Sequence, residues 1–253
     1  MEEEASLKRK AALTGRPSYH TSIVVYRTLW VIINALMRVV YRYRASGREN
    51  MPRHGPVIIV VNHLHLIDPG AVVGAVSRQI VTLAADKWRI ESPLIHWFLK
   101  RAGAIFVNRG EVDRNALRQC RDVLEHGLAL AIAPEGTRSR TGQLQRAKAG
   151  VAYIAHQADA VIVPIGAWGQ EHLSDWRRLH RPSCHTVIGK PFRLDFSEGR
   201  VTTERLQQLA DAAMIQVARL LPPEYRGYYA DQVAALGPDE LPAGIIPVAA
   251  EAL

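Results

Sequence analysis

Residues 57–69 read VIIVVNHLHLIDP, and this stretch decides the class of fold. The five apolar residues at its start predict a strand. The strand runs into a short loop, and Asp68-Pro69 at the end of that loop is typical of the first residues of a helix. A strand that passes through a loop into a helix is the building unit of α/β proteins.

The chain after Arg48 repeats this alternation of short apolar runs with longer helical patterns. It predicts a single α/β domain with a largely parallel or mixed central sheet that is flanked by helices. Strands are predicted at residues 57–61, 80–85, 104–107, 128–133, 161–166 and 185–189. Helices are predicted at residues 69–76, 93–101, 113–126, 147–157 and 203–221.

Composition supports one domain with two appendages. Of the 253 residues, 48% are hydrophobic and 22% are charged, which suffices for one substantial core and argues against wholesale disorder. Residues 1–47 form a basic N-terminal segment and residues 48–222 form the domain. Residues 223–253 are rich in Pro, Ala and Gly, so we expect a loosely ordered tail.

The charge balance predicts an anionic partner. The chain has 32 basic and 24 acidic residues, and its last 23 residues hold four acids and no base, so the other 230 residues carry a net +12. Nucleic acid, a phosphorylated substrate or a membrane surface would suit this charge. We expect no nucleic acid, because aromatic residues do not alternate with the basic loops.

Several classes of site lack their motifs. Cys120 and Cys184 stand 64 positions apart without a Cys-x-x-Cys pairing, which argues against a disulfide framework or a thiolate zinc site and favours a reducing compartment. The chain has neither the Gly-x-Gly-x-x-Gly nor the Gly-x-x-x-x-Gly-Lys-Ser/Thr pattern, so the usual motifs for dinucleotides and for P-loop chemistry are absent.

The N-terminal segment predicts a membrane-associated helix. Residues 7–48 contain nine basic and no acidic residues. The uncharged part, residues 28–37, would make about 15 Å of helix, too short for a hydrocarbon core of roughly 30 Å. At helical spacing Arg27, Asn34, Arg38 and Arg42 form one stripe in an otherwise apolar segment, which favours an amphipathic helix in the plane of an anionic leaflet. The alternative is a helix packed on its own domain with snorkelling arginines.

His63 and Asp68 are the first candidate catalytic pair. They follow a strand at the edge of an α/β sheet where ligands bind. A carboxylate that holds one imidazole nitrogen leaves the other free to take a proton from a hydroxyl. Two alternatives stay open: Asp68 caps a helix, or His63, His65 and a carboxylate hold a metal ion as in metal hydrolases. The metal pattern fits poorly, because it would need Asp at 67 and His at 68.

A second candidate cluster follows the predicted strand at 128–133. The loop Pro-Glu-Gly-Thr-Arg-Ser-Arg at residues 134–140 offers Arg138, Arg140 and backbone amides near Gly136 to a phosphate-sized anion. Arg109 follows another strand and adds a cation at the same kind of edge. Together with His63 these residues predict a cleft that holds a base and a phosphate clamp.

In these motifs the chain resembles the PlsC-type glycerolipid acyltransferases, the family of 1-acyl-sn-glycerol-3-phosphate acyltransferase. The resemblance spans about residues 45–190. Its four blocks occur in the family's order: Asn62-His63 to Asp68-Pro69, Gly-Ala-Ile-Phe-Val-Asn-Arg at 103–109, Pro-Glu-Gly-Thr-Arg-Ser-Arg at 134–140, and Val163-Pro164-Ile165.

The resemblance implies a role for each matched residue. It implies that His63 is a general base oriented by Asp68, and that Pro164 lies on the acyl-donor side. The residues implied around the phosphate of the acceptor are Arg109, Glu135, Gly136, Thr137 and Arg138. The implied reaction transfers a fatty acyl group to the hydroxyl of a lysophosphatidic acid-like acceptor in phospholipid biosynthesis.

The same resemblance sets the expected partners. These are a lysophospholipid substrate, an anionic membrane surface at the cytoplasmic face of the cell membrane, and acyl-CoA or acyl carrier protein as co-substrate. We expect no metal and no further cofactor. The competing hypotheses are a non-catalytic membrane-surface binding protein on the same fold and a metal-dependent hydrolase. A wide separation of His63 and Asp68 would favour the non-catalytic hypothesis.

Overall fold

The computed structural model describes residues 22–108, 113–197 and 200–248, and a mixed sheet of nine strands lies at the centre of this part of the chain. The strands are β1 (Arg42–Ser46), β2 (Val57–Val61), β3 (Ile80–Ala85), β4 (Ile105–Val107), β5 (Ala129–Ile132), β6 (Val161–Trp168), β7 (Ser183–Ile188), β8 (Phe192–Leu194) and β9 (Ile245–Pro247). Their order is β1-β7-β6-β2-β5-β3-β4, and β8 pairs with β6 and β9. β2 is parallel to β5 and β6, whereas β6 and β7 are antiparallel.

The helices connect and cover these strands. They are α1 (Ile23–Val40), α2 (Asp68–Ala75), α3 (Trp88–Glu91), α4 (Pro93–Arg101), α5 (Arg114–Glu125), α6 (Gly150–Ala158), α7 (Thr203–Leu220) and α8 (Ala230–Ala235). Short 3-10 helices cover Arg48–Asn50, Gln170–Arg178, Pro223–Tyr225 and Gly227–Tyr229. The predicted α/β class and mixed sheet are confirmed, and the predicted strands and helices of the domain are all present.

The main displaced boundary is the start of α6. The sequence predicts a helix from residue 147, but α6 begins at Gly150. The amide of Ala147 donates to the hydroxyl of Tyr229 at 2.8 Å, and the amide of Lys148 donates to the carbonyl of Pro134 at 2.9 Å. These contacts hold residues 147–149 against two other segments, so the helix starts after them.

Alternation along β2 divides the core into two layers. Ile58 and Val60 belong to the cluster under α5, α6 and α7, while Val57, Ile59 and Val61 belong to the cluster under α1 and α2. Since successive side chains of a strand point to opposite faces, the two clusters lie on opposite faces of the sheet. Burial on both faces explains why β2 reads as an uninterrupted apolar run.

The N-terminal helix α1 buries part of the polar stripe that the sequence analysis placed at a membrane surface. Asn34 is buried and donates to the carbonyl of Trp30 at 3.0 Å, so this part of the polar stripe faces the domain. Arg42 is not helical; it starts β1, which pairs in parallel with β7. The helix ends at Val40 because Tyr41 takes an extended backbone and buries its side chain. Six large apolar side chains of α1 are exposed: Ile23, Val24, Val31, Ile32, Leu36 and Val39.

The expected loosely ordered tail is attached to the domain through residue 248. Tyr229 is fully buried, β9 pairs with β8, and the side chain of Arg219 donates to carbonyls of Gly237 and Glu240. Residues 249–253 lie outside the described residues. Sequence periodicity missed this attachment because it consists of single anchoring contacts, not of a repeated apolar face.

Candidate active site

The loop between β2 and α2 brings His63 and Asp68 into direct contact. Nδ1 of His63 lies 2.7 Å from Oδ2 of Asp68. The backbone amide of His65 donates to both carboxylate oxygens, at 2.9 and 3.0 Å. Asp68 is the first residue of α2, yet its carboxylate points back to the loop and makes no N-terminal cap. The wide separation that would favour the non-catalytic hypothesis is therefore not observed.

This contact leaves one ring nitrogen of His63 available. Because Nδ1 is occupied by the carboxylate, Nε2 is the nitrogen that can accept a proton. His63 is about one-fifth exposed, whereas the Asp68 side chain is almost fully buried. The pair thus combines an accessible imidazole with a carboxylate shielded from water, an arrangement suited to general-base chemistry.

Glu135 fastens the loop that carries His63. Its Oε1 accepts the backbone amide of His63 at 2.8 Å, and its Oε2 accepts the amide of Gln145 at 2.9 Å. The amide of Ser139 returns a bond to the carbonyl of His63 at 2.8 Å. Burial raises the pKa of Glu135 to about 7, and the bonds from Gln145 and His63 counteract part of that rise. Both carboxylate oxygens are engaged inside the protein, so Glu135 acts on the backbone of this loop.

Gly136 and Lys148 lie together next to this loop. Gly136 has a φ of +73°, and a Cβ placed on it would lie 3.0 Å from Nζ of Lys148. A side chain at position 136 would therefore meet both backbone strain and the ammonium group. Lys148 was not among the predicted site residues, although the sequence places it only twelve positions after Gly136.

Two buried side-chain amides, those of Asn62 and Gln170, lie behind His63 and Asp68 and were not among the predicted site residues. Asn62 exchanges two hydrogen bonds with the backbone of Ala167, at 2.7 and 2.8 Å, which ties the end of β2 to β6. Gln170 donates from Nε2 to Oδ1 of Asp68 at 2.8 Å. No local pattern signals Gln170, because it lies 102 positions from Asp68 in the chain.

His63 and Asp68 line a cavity of about 890 Å³. Gly136 and Lys148 line the same cavity, together with apolar side chains that include Leu117 and Ile154. Three arginines of α5 add positive charge to its wall: Arg114, Arg118 and Arg121. The cavity therefore joins an imidazole, cationic groups and an apolar lining, as a substrate with an anionic end and an apolar chain would need.

The structure separates some of the predicted site residues. Thr137 and Arg138 are exposed and do not line this cavity, and Glu135 is buried behind it. Pro164 lies in β6 and lines a different depression, together with Gly189 and Arg219. Arg109 lies outside the described residues.

The metal-hydrolase hypothesis requires converging ligands. Within residues 22–108, 113–197 and 200–248, no group of three or more His, Cys, Asp or Glu side chains is arranged to hold a metal ion. The carboxylate of Asp68 is instead hydrogen-bonded to Nδ1 of His63, to the backbone amide of His65 and to the side chain of Gln170.

Comparison with known proteins identifies the family of the chain. The sequence profile of the family described as Acyltransferase matches residues 42–168, which is half of the chain and contains both His63 and Gly136. The chain belongs to the Acyltransferase family. All four blocks that suggested this resemblance fall within the matched range, including the block that contains Pro164.

Among the curated relatives of this acyltransferase, a 1-acyl-sn-glycerol-3-phosphate acyltransferase of Chlamydomonas reinhardtii is 30% identical over 216 residues, covering 79% of this chain and 58% of the relative. The human 1-acyl-sn-glycerol-3-phosphate acyltransferase alpha is 26% identical over 202 residues, covering 74% of this chain and 67% of the relative. The chain thus spans about three fifths of the algal relative.

The fold has a solved counterpart. The crystal structure of the 1-acyl-sn-glycerophosphate (LPA) acyltransferase PlsC from Thermotoga maritima superimposes with a TM-score of 0.55 and 22% identity, covering 73% of this chain and 76% of that one. At this identity the similarity establishes the α/β fold.

Proposed function

We propose that this acyltransferase moves a fatty acyl group from a thioester to the free hydroxyl of a 1-acylglycerol 3-phosphate. The observation that carries the proposal is the 2.7 Å contact of His63 with Asp68 at the wall of a cavity that also contains Lys148. The relatives named for this reaction support the choice of acceptor.

In the proposed mechanism His63 is a general base. Its Nε2 takes the proton of the acceptor hydroxyl while that oxygen attacks the thioester carbonyl. The tetrahedral intermediate then breaks its carbon–sulfur bond, and the proton on His63 passes to the departing thiolate. Asp68 holds the ring orientation and stabilises the imidazolium between the two steps. No covalent bond to the protein is needed.

We assign the phosphate of the acceptor to the Gly136–Lys148 end of the cavity. The ammonium group of Lys148 lies against Gly136, whose positive φ belongs to a turn that follows β5. Thr137 and Arg138 directly follow and are exposed, so we place them at the rim. Binding the phosphate there would bring the free hydroxyl toward His63, and such positioning supplies much of the rate of a bimolecular transfer.

We assign the donor to the side of the cavity formed by α5. Arg114, Arg118 and Arg121 line this side, and their charge would attract the phosphates of coenzyme A or an acidic acyl carrier protein. Acyl-CoA and acyl carrier protein carry the acyl group in the same kind of thioester. The rates of acyl transfer measured with each donor therefore show which of the two the protein uses.

We further propose that the protein works at the cytoplasmic surface of a membrane. Within the described residues α1 is the helix that is long and apolar enough to cross a bilayer, and only 17% of it is buried. Core helices and signal sequences also meet that test, but a core helix would bury the apolar face that α1 exposes. Ile90, Leu94 and Trp97 of α3 and α4 are exposed as well, next to the cationic side chains of Lys87 and Lys100. Apolar side chains beside cations suit an anionic lipid surface.

The catalytic proposal is tested with purified protein, acyl-CoA or acyl carrier protein thioesters, and a panel of acceptors, with the products identified by mass. We expect phosphatidic acid from 1-acylglycerol 3-phosphate. H63A should lower kcat by at least about 10²-fold, the lower end of what a general base contributes. H180A is the matched control, because His180 is exposed and outside the cavity. Absence of transfer with every donor and acceptor would reject the function, and wild-type turnover of H63A would reject the mechanism.

The acceptor site is tested with K148M. Losing a charged contact to phosphate should raise KM for 1-acylglycerol 3-phosphate about tenfold, with a smaller effect on kcat. Turnover of a monoacylglycerol, which has no phosphate, should not change. K190M is the control, since Lys190 is an exposed lysine of the separate depression. An equal rise in KM for both acceptors would contradict the assignment.

A further inference from the structure

Behind His63 and Asp68 lies a buried glutamine that the proposed mechanism does not use. Gln170 is fully buried at the start of the 3-10 helix that follows β6, and its Nε2 donates to Oδ1 of Asp68 at 2.8 Å. Resting on the proposed function, we infer that Gln170 is a positioning residue, which fixes the carboxylate of Asp68 so that His63 keeps its ring orientation during acyl transfer.

The surroundings of Gln170 determine which way its amide points. Nε2 faces two acceptors, Oδ1 of Asp68 at 2.8 Å and the carbonyl of Ala167 at 3.3 Å. Oε1 faces the thiol of Cys184, whose sulfur lies 3.8 Å away and can only donate to it. The reversed amide would set an oxygen against a carboxylate and a carbonyl, so only this orientation satisfies all three neighbours.

The backbone of Gln170 is held as firmly as its side chain. The hydroxyl of Tyr41 donates to the carbonyl of Gln170 at 2.9 Å, and both residues are buried. Gly169 precedes it with a φ of +89°, and a Cβ there would lie 2.2 Å from the carbonyl oxygen of Ser183. The amide is therefore presented to Asp68 by a backbone that cannot shift without losing these contacts.

The carboxylate of Asp68 depends on this donor. Oδ2 of Asp68 is hydrogen-bonded to Nδ1 of His63 and to the backbone amide of His65. Oδ1 accepts hydrogen bonds from Nε2 of Gln170 and from that same backbone amide, which bonds to both oxygens. Asp68 is 3% exposed, so water is poorly placed to replace a missing donor. Without Gln170 the carboxylate would be free to rotate toward other donors and away from Nδ1 of His63.

The test compares Q170M and Q170E with wild type in acyl transfer. Methionine has a similar length but no donor, so Q170M should lower kcat about 10- to 100-fold while KM for donor and acceptor stays within about twofold. In Q170E the introduced carboxyl donates to Asp68 only when it is protonated. The ratio of Q170E to wild-type kcat should therefore fall as pH rises, while the ratio for Q170M stays flat. Wild-type kcat in Q170M, or a flat ratio for Q170E, would overturn the inference.

Q207M is the matched structural control. Gln207 donates from Nε2 to the carbonyl of Ala147 at 2.9 Å, so this variant also removes one hydrogen bond of a side-chain amide, but one that involves neither Asp68 nor His63. It should lose stability as Q170M does and keep wild-type kcat. An equal loss of kcat in both variants would show that Gln170 acts through stability alone.

A spectroscopic measurement separates this inference from the proposed function. The proton shared by His63 and Asp68 should give a low-field imidazole N–H resonance in wild type and in Q207M. It should move or vanish in folded Q170M. An unchanged resonance in Q170M would overturn the inference even if no acyl transfer were found, whereas a wild-type protein without transfer activity would reject only the proposed function.

Discussion

Glu135 belongs to the motif that suggested a phosphate site, yet it holds two backbone segments together. The carboxylate of Glu135 is buried, accepts a backbone amide on each oxygen and lies near the carboxylate of Asp68. Its local sequence predicts a place near the site, because the motif follows a strand. Whether the side chain faces substrate or backbone depends on how the loop folds over His63, which the motif does not specify.

At the residue scale we predict a pH-dependent contribution of Glu135 to stability. Between its ordinary pKa of 4.5 and the raised value of about 7, the unfolded chain has lost the proton and the folded chain retains it. The free energy of unfolding should therefore fall as pH rises through this window, by at most about 3 kcal/mol from this group, and stay level above it. Urea denaturation of wild type and E135Q from pH 4 to 8 measures the difference.

The variant isolates the effect because glutamine does not titrate. The free energy of unfolding of wild type minus that of E135Q should decrease with rising pH and level off above about pH 7. E224Q is the control, since Glu224 is exposed and its substitution should change the free energy of unfolding by less than about 0.5 kcal/mol. A pH-independent difference for E135Q would contradict the raised pKa.

At the scale of elements, α1 shows how a helix can fit two environments. Its buried side carries Tyr26, Asn34 and Met37, and the Nε1 of Trp30 donates to the carbonyl of Val76 at 2.9 Å. The opposite side is apolar and exposed. The spacing of polar and apolar residues predicts an amphipathic helix. It does not predict which side is buried, because aromatic and amide side chains occur both on buried and on exposed sides of helices. Packing against α2 decided which side faces the domain.

We predict that the exposed side of α1 binds membranes. V31E/L36E replaces two exposed apolar residues, so binding to vesicles with anionic lipid should weaken by at least about tenfold. The melting temperature should stay close to that of wild type, because neither side chain packs on the domain. Cosedimentation with vesicles measures the binding.

L241E/I246E provides the comparison for this variant. It places the same two charges on exposed apolar residues of the C-terminal segment, far along the chain from α1. This control should bind vesicles nearly as wild type does. Equal weakening in both double variants would mean that charge alone, and not the face of α1, controls binding.

At the scale of the whole molecule, the C-terminal segment supports the wall of the cavity. The hydroxyl of Tyr229 accepts the amide of Ala147, next to Lys148, and donates to Oδ1 of Asp211 at 2.7 Å. Burial is the main cause that raises the pKa of Tyr229, so this hydroxyl stays neutral and can donate. The segment that composition marks as a tail thus joins α7 to the loop before α6.

We predict that Y229F lowers the free energy of unfolding by about 1–3 kcal/mol. Phenylalanine keeps the packing but leaves the buried amide of Ala147 and an oxygen of Asp211 without this partner. The control is Y228F, because Tyr228 is adjacent but about half exposed and should change stability by less than about 0.5 kcal/mol. Chemical denaturation of the two variants at one pH measures both values. A loss in Y229F no larger than in Y228F would show that the buried hydroxyl contributes nothing.

The sequence alone determined the class of fold and the sites of the domain's main helices and strands, and it offered the pairing of His63 with Asp68 as one of three hypotheses. These features follow from short-range patterns: the apolar run of β2, the helical spacing of α7, and two residues five positions apart across one loop. Local geometry restricts such residues to few arrangements, so spacing is informative.

Only the tertiary structure decided which distant residues complete the site. Gln170 reaches Asp68 across 102 positions, Tyr229 reaches Ala147 across 82, and Asn34 turned inward when α1 packed against α2. Each of these outcomes depends on where separate elements come to rest against one another. Such residues form hydrogen bonds because the fold brings them close together in space, and no repeating pattern in the sequence signals these contacts.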